Sequence, residues 1–184
     1  AISFCDSCSH SQLNRVVNPD LMFKHYLYVS STTSTFSLHC DELADSILNK
    51  LGSPNDCLVL DIASNDGCLL SKFKKRGCQV IGVDPAENLV EEANRDGIPT
   101  INAYWSLDVV QKIRSNYGIP LIITGTNIIA HVHNVNKFVS AVRLLLPKEG
   151  VFVLECPYLI DFINKNEFDT IYHEHLSYFG MHAM

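Results

Sequence analysis

Near the end of this 184-residue chain, the stretch YHEHLSYF (Tyr172 to Phe179) packs two histidines, a glutamate and two tyrosines into eight positions. Three kinds of chemistry fit such a segment. As a metal site it is weak. His173 and His175 share a face only on a strand and oppose each other on a helix. H-E-H is also not the H-E-x-x-H spacing that sets two histidines on one helical face, and the chain offers no clear third ligand. A solvated structural segment is the second reading. An acid–base cluster fits better: imidazole titrates near neutrality, and a phenol can donate to a developing oxyanion. A carboxylate can fix the imidazole tautomer or hold a substrate hydroxyl. A reaction that takes a proton from a carbon beside a ketone needs a base and an enolate stabiliser of these kinds.

Such a cluster needs a scaffold, and the chain is long enough for one full domain and a small extra piece. It is 47% hydrophobic and 18% charged, ordinary for a globular protein. No apolar run reaches the ~20 residues of a membrane span, and AISFCDSC lacks the basic-then-apolar pattern of a signal peptide. The net charge of −6 argues against a nucleic-acid polymer as partner. The basic run Lys72 to Arg76 reads as the wet face of a helix. Cys57, Cys68, Cys78 and Cys156 sit among apolar neighbours and read as small buried hydrophobes. Reduced thiols and a cytoplasmic location are the expectation.

Residues 1–30 read as irregular. From Ser34 to Gly52 apolar residues recur at helical spacing, and SPND makes a turn. Then CLVLDI, QVIGVD, PTIN, LIITGT and VFVLECP read as strands. Between them DGCLLSKFKKRG, AENLVEEANRDG, SLDVVQKIRSNYG and NVNKFVSAVRLLLPKEG read as helices. Such alternation predicts an α/β fold, a Rossmann-like parallel sheet with helices on both faces. Ligands then bind outside the carboxyl ends of the strands.

The loop after the first of these strands is DIASNDG, Asp61 to Gly67. It lacks G-x-G-x-x-G, so it suits a ligand without a pyrophosphate. Its candidate cofactor residues are Asp61, Ala63, Ser64, Asn65 and Gly67. About 20 residues on, GVDPAEN places Asp84 and Pro85 where an acid can accept from both hydroxyls of a ribose; the plainer reading is a helix cap. After the third strand, Asn102 or Tyr104 can border an adenine. After the fourth, Asn127 and His131 reach the same edge, and His133 is expected in solvent. A ribose-binding acid without a pyrophosphate loop points to S-adenosylmethionine rather than NAD.

With these motifs assembled, VLDIASNDGCLL, VIGVDPAENL, NIIAHVHN and EFDTIYHEHLSYF closely resemble the bacterial C-methyltransferases that act on nucleotide-linked keto-deoxysugars. HCDELA and YLYVSST fit the same family. The resemblance runs over essentially the whole chain and is most specific at YHEHLSYF. It implies three parts: a zinc-binding module, a class I methyl-donor domain and a C-terminal domain that helps hold the nucleotide sugar. On this reading residues 1–30 are the remnant of the zinc module, and 31–184 are the donor domain with its last strands missing. Cys5 and Cys8 are one of two cysteine pairs and cannot alone close a tetrahedral zinc site; His10 is the candidate third ligand. The family usually has Gly where this chain has Ala63, which is tolerated if that residue keeps a negative φ. By resemblance His175 is the base, Tyr172 and Glu174 stand beside it, and His173 is its structural partner. Tyr26, Tyr28 and Ser30 belong to a segment that folds over the donor, with Tyr28 an active-site contact. Two alternatives are an NAD-dependent nucleotide-sugar dehydratase or epimerase and a non-catalytic donor-binding fragment. The first wants a glycine-rich loop and a Tyr-x-x-x-Lys pair, and neither is present.

Overall fold

The computed structural model describes residues 1–54 and 56–184; the turn expected at SPND includes Asn55, outside the described residues. The first 30 residues are not irregular. They contain strands β1 (Ile2–Phe4) and β2 (Ser11–Leu13) and a short helix α1 (Asp20–Phe23). Ser11 and Gln12 of β2 pair antiparallel with Tyr178 and Ser177, at the end of the H-E-H segment. Three-residue strands carry no readable period, and this partner lies far along the chain, so local pattern was blind to it.

Beyond it the alternating pattern folds as expected. Helix α2 (Ser34–Lys50) starts where Thr33 Oγ1 accepts from the Phe36 N–H, an N-cap bond. Five parallel strands follow: β3 (Leu58–Ile62), β4 (Gln79–Asp84), β5 (Thr100–Asn102), β6 (Ile122–Thr126) and β7 (Val151–Glu155), in spatial order β5-β4-β3-β6-β7. The order reverses between β3 and β6, which makes their carboxyl ends the expected ligand crevice. Helices α3 (Cys68–Lys75), α4 (Glu87–Arg95), α5 (Leu107–Asn116) and α6 (Val135–Leu145) connect the strands.

Strand alternation sorts the core into two layers. Val59 and Val80 pack with Ala44, Leu70 and Phe73 on one face of the sheet. Leu60 and Ile81 pack with Val110, Ile113 and Val142 on the other. Phe73 is fully buried, a burial that contributes about 1.5–3 kcal/mol. Helix α7 (Leu159–Lys165), a 3-10 turn at Phe168–Thr170 and β8 (Ser177–Tyr178) complete the order. Tyr158 bridges Phe179 beside them, so the H-E-H turn hangs between α7 and the N-terminal hairpin. No helix among the described residues is long and apolar enough to cross a membrane.

Candidate active site

A cleft of about 1070 Å³ opens at the carboxyl ends of β3, β4 and β6. Its floor is the loop after β3. The Ala63 and Ser64 N–H groups both donate to the Val83 carbonyl, at 2.8 and 3.2 Å, which seats the loop on β4. Gly82 permits this approach, since a Cβ there would meet Ser64 Oγ at 2.4 Å. Ala63, Asn65 and Asn127 all line the cleft at φ of 61°, 53° and 56°. Asparagine tolerates the left-handed region and alanine does not. The expected negative φ at Ala63 is thus corrected: the tight turn off β3 forces a conformation that favours glycine.

Two acids line this end of the cleft. Asp84 is 5% exposed. Its Oδ2 accepts from the Asn65 N–H and its Oδ1 from the Ala86 N–H, each at 2.8 Å. A carboxylate has about four acceptor positions, so each oxygen keeps one for a ligand. Burial raises the Asp84 carboxyl above its ordinary range, against those two N–H groups. Asp61 is 2% exposed, and its Oδ1 takes a 2.7 Å hydrogen bond from Thr124 Oγ1. Burial pushes this carboxyl up to about 7, and the neighbouring charge of Asp84 adds to the rise. No lysine, arginine or histidine pairs with either carboxylate among the described residues. The cleft therefore suits a donor with a positive charge and a hydroxyl-bearing sugar.

Pro85 and Tyr104 also line the cleft, whereas Asn102 does not. The Asn102 Nδ2 donates to the Asp84 and Pro85 carbonyls at 3.2 and 3.0 Å, which fixes the backbone behind the acid. Gly67 likewise stands behind the cleft rather than in it. It caps α3 at φ 79°, and a Cβ there would meet Ile98 Cγ2 at 2.9 Å. Cys57, Cys68 and Cys78 are buried, Cys156 partly so.

The segment from Tyr26 to Ser31 folds over the loop. Asn65 Nδ2 donates to the Tyr28 carbonyl, and Asn65 Oδ1 accepts from the Ser30 N–H, each at 3.0 Å. The Tyr28 ring, half exposed, joins Tyr26 and Ser30 in lining the cleft.

The opposite wall carries the histidines. His175 Nδ1 lies 3.0 Å from the Thr170 carbonyl, and a carbonyl only accepts. Nδ1 therefore carries the ring proton and Nε2 the lone pair. Nε2 receives the Tyr172 hydroxyl at 3.2 Å. The His131 ring stands edge-on to His175 at 5.0 Å and to Phe23 at 5.6 Å. His131 Nδ1 donates to the Glu174 carbonyl at 2.9 Å, and burial, then the neighbouring His175, pushes its pKa down.

Glu174 does not set the His175 tautomer. Its Oε2 accepts from the Tyr26 hydroxyl at 2.9 Å, tying this turn to the segment over the donor loop. Burial, then this carboxylate, raises the Tyr26 phenol well above its usual range. His173 is exposed and outside the cleft lining, whereas His133, exposed as expected, does line the cleft; the turn at 173–174 separates the two histidines of the segment, and it is His131 rather than His173 that stands against the His175 ring. Thr170 was missed because its contribution is a backbone carbonyl, which any residue can supply.

Cys5 and Cys8 are exposed, and hydrogen bonds from Cys8 draw the Cys5 thiol below its usual range. No third donor joins them: among the described residues there is no group of three or more His, Cys, Asp or Glu arranged to hold a metal. The His10 ring lies instead against Phe179, with Nε2 3.3 Å from Ser177 Oγ.

Residues 37–184 match the family described as a methyltransferase domain. The C-methyltransferase NovU of Streptomyces niveus is 36% identical over 180 residues, which is 98% of this chain and 43% of that protein. The chain thus spans less than half the length of this curated relative. Among solved structures, the PH0226 protein of Pyrococcus horikoshii OT3 is similar with a TM-score of 0.61 at 17% identity, over 77% of this chain and 67% of that one. The plantazolicin methyltransferase BpumL in complex with SAH is similar at 0.58 and 15%, over 74% and 52%. DesVI of Streptomyces venezuelae is similar at 0.54 and 15%, over 67% and 51%. The chain belongs to the methyltransferase-domain family and carries the fold of S-adenosylmethionine-dependent methyltransferases.

Proposed function

We propose that this chain is the donor-binding part of a C-methyltransferase that methylates a carbon beside the ketone of a nucleotide-linked deoxysugar. The observation that carries the reading is the tautomer of His175: the Thr170 carbonyl holds the proton on Nδ1, so Nε2 offers its lone pair on a ring that lines the cleft. Such a nitrogen can take a proton from carbon. Tyr172, whose hydroxyl is within 3.2 Å of that nitrogen, can donate to the enolate oxygen that forms. Methylation at oxygen needs only the base; carbon needs both. The name of the relative from Streptomyces niveus supports carbon as the site of transfer. The sugar acceptor rests on the likeness of YHEHLSYF and its companion motifs.

S-adenosylmethionine, once bound, supplies an electrophilic methyl group on a sulfonium. Asp84 would hold the ribose, the loop from Ala63 to Asn65 the backbone side of the donor, and Tyr104 the base. Tyr28, Asn127 and His131 would close the pocket, and Tyr26 with Glu174 would keep the segment over the donor in register with the histidine turn. Cys5 and Cys8 would give half of a structural zinc site and leave this chain with substoichiometric metal. A cytoplasmic location is part of the same proposal and rests on seven unpaired thiols.

The test uses the full-length protein, a nucleotide-linked keto-deoxysugar and donor labelled with carbon-13 in its methyl group. The product should carry the label as a methyl bonded to carbon by NMR. A methoxy signal would overturn the reading.

A further inference from the structure

Thr124 Oγ1 has one proton and two acceptors. It lies 2.7 Å from Asp61 Oδ1 and 3.4 Å from the Leu60 carbonyl. With Asp61 ionised, the hydroxyl gives its proton to the carboxylate and nothing reaches Leu60 from it. With Asp61 protonated, the carboxyl donates to Thr124 and Thr124 donates to Leu60, so the whole chain is satisfied. The site accommodates both states of the acid.

Burial and the charge of Asp84 favour the neutral state of Asp61. From β4 it faces the Asp84 carboxyl, and from β6 the uncharged Thr124. From α2 it faces the Cys40 thiol. Cys68, at the start of α3, shares the cleft with it; its thiol is drawn down to about 7 by the hydrogen bond from Cys40. Lys72, which acts on that thiol pair, is held by Ser37 Oγ at 2.7 Å. Lys137, His131 and His133 also line the cleft, but among the described residues neither of the two carboxyls at these adjacent strand ends is paired with a lysine, arginine or histidine. Burying a charge without a partner is costly, and the usual response is to neutralise it.

We infer that donor binding at Asp61 is coupled to proton release: below neutral pH the acid holds a proton in the free protein, and a cationic donor displaces that proton to solvent on binding. The inference rests on the donor reading above and goes further, since it states which feature of the donor displaces the proton. The balance is simple. Neutral carboxyl plus cation becomes carboxylate paired with cation, and one proton passes to the buffer. The acid's burial supports the direction, because it pushes the carboxyl up to about 7. The coupling weakens as the pH rises past that value, where the carboxylate is already formed.

Titration calorimetry at pH 6.5 in buffers of different protonation enthalpy reads the proton count. S-adenosylhomocysteine, which carries an ammonium group, should release on the order of half a proton or more per site. Adenosine, which carries no cation, should release none. Asp61→Asn should abolish the release, and Cys68→Ser should keep it. An apparent enthalpy independent of buffer, equal release with adenosine, or loss of release in Cys68→Ser would overturn the inference while saturable binding still upheld the donor site. If S-adenosylhomocysteine gives no saturable heat, the donor reading itself falls. The comparison of two ligands on the unaltered protein decides the matter even if Asp61→Asn does not fold.

Discussion

The donor floor and the histidine wall face each other across one cleft, yet they are held in different ways. On the floor, the Asn65 N–H reaches Asp84 across 19 positions of sequence, through a strand–turn–helix–strand unit whose pattern dictates the approach. On the wall, Glu174 is held by Tyr26 across 148 positions and His131 reaches the Glu174 carbonyl across 43. The floor is buried, strained and short of positive charge; the wall is half-exposed and cross-linked by single hydrogen bonds. On the proposed reading, a floor built by local folding should bind a donor without help from the wall. A wall assembled from distant pieces depends on each of its ties, and chemistry should fail there without donor binding failing.

The largest effect should separate the two. A positioned base is worth ~10²–10⁴ in rate, so His175→Ala in the full-length protein should slow turnover by that order. Affinity for S-adenosylhomocysteine should stay unchanged; a parallel loss of affinity would mean the wall also holds the donor. On the floor, Asp84→Ala removes a buried acceptor with two further positions for ribose hydroxyls. Hydrogen bonds to charged groups contribute about 1.5–3 kcal/mol, so calorimetry should show affinity falling by roughly 10- to 100-fold. Indifference would leave Asp84 as the cap of its own turn.

The smallest effect concerns strain. Ala63 holds φ 61°, and a residue forced into this region costs of order 1–3 kcal/mol. Ala63→Gly should relieve that cost and offset it with added chain entropy in the unfolded state. Chemical denaturation should show a net gain of about 1 kcal/mol or less, with donor affinity no worse. Gly67→Ala makes the opposite change at φ 79°, with a Cβ aimed at Ile98, and should lower the midpoint. If both variants move stability the same way, strain does not distinguish the two positions.

The same division explains what the sequence made legible. The five strands, four connecting helices and α2 followed from hydrophobic period, and Asp61 and Asp84 from their places at strand ends. Ala63 misled because a missing glycine suggests a relaxed backbone, whereas the turn geometry is imposed by β4 beneath it. Asn102 has the right type at the right edge, but side-chain direction is not written in spacing; Gly67 is taken up by the left-handed cap of α3 against Ile98. On the wall, H-E-H marked the candidate acid–base groups but not their wiring. Which histidine faces the cleft depends on a turn, and the tautomer depends on a carbonyl at Thr170. The pairing of β2 with β8 joins residues far apart whose strands are too short to announce themselves.

The central claim is that His175 takes a proton from carbon, and exchange with heavy water tests it most directly. The full-length protein, given the keto-deoxysugar nucleotide and no methyl donor, should exchange the carbon-bound hydrogen beside the ketone, as seen by loss of its proton NMR signal. His175→Ala should slow that exchange by ~10²–10⁴. Equal exchange in the variant and the unaltered protein would contradict the claim and move the base to another group on the same wall.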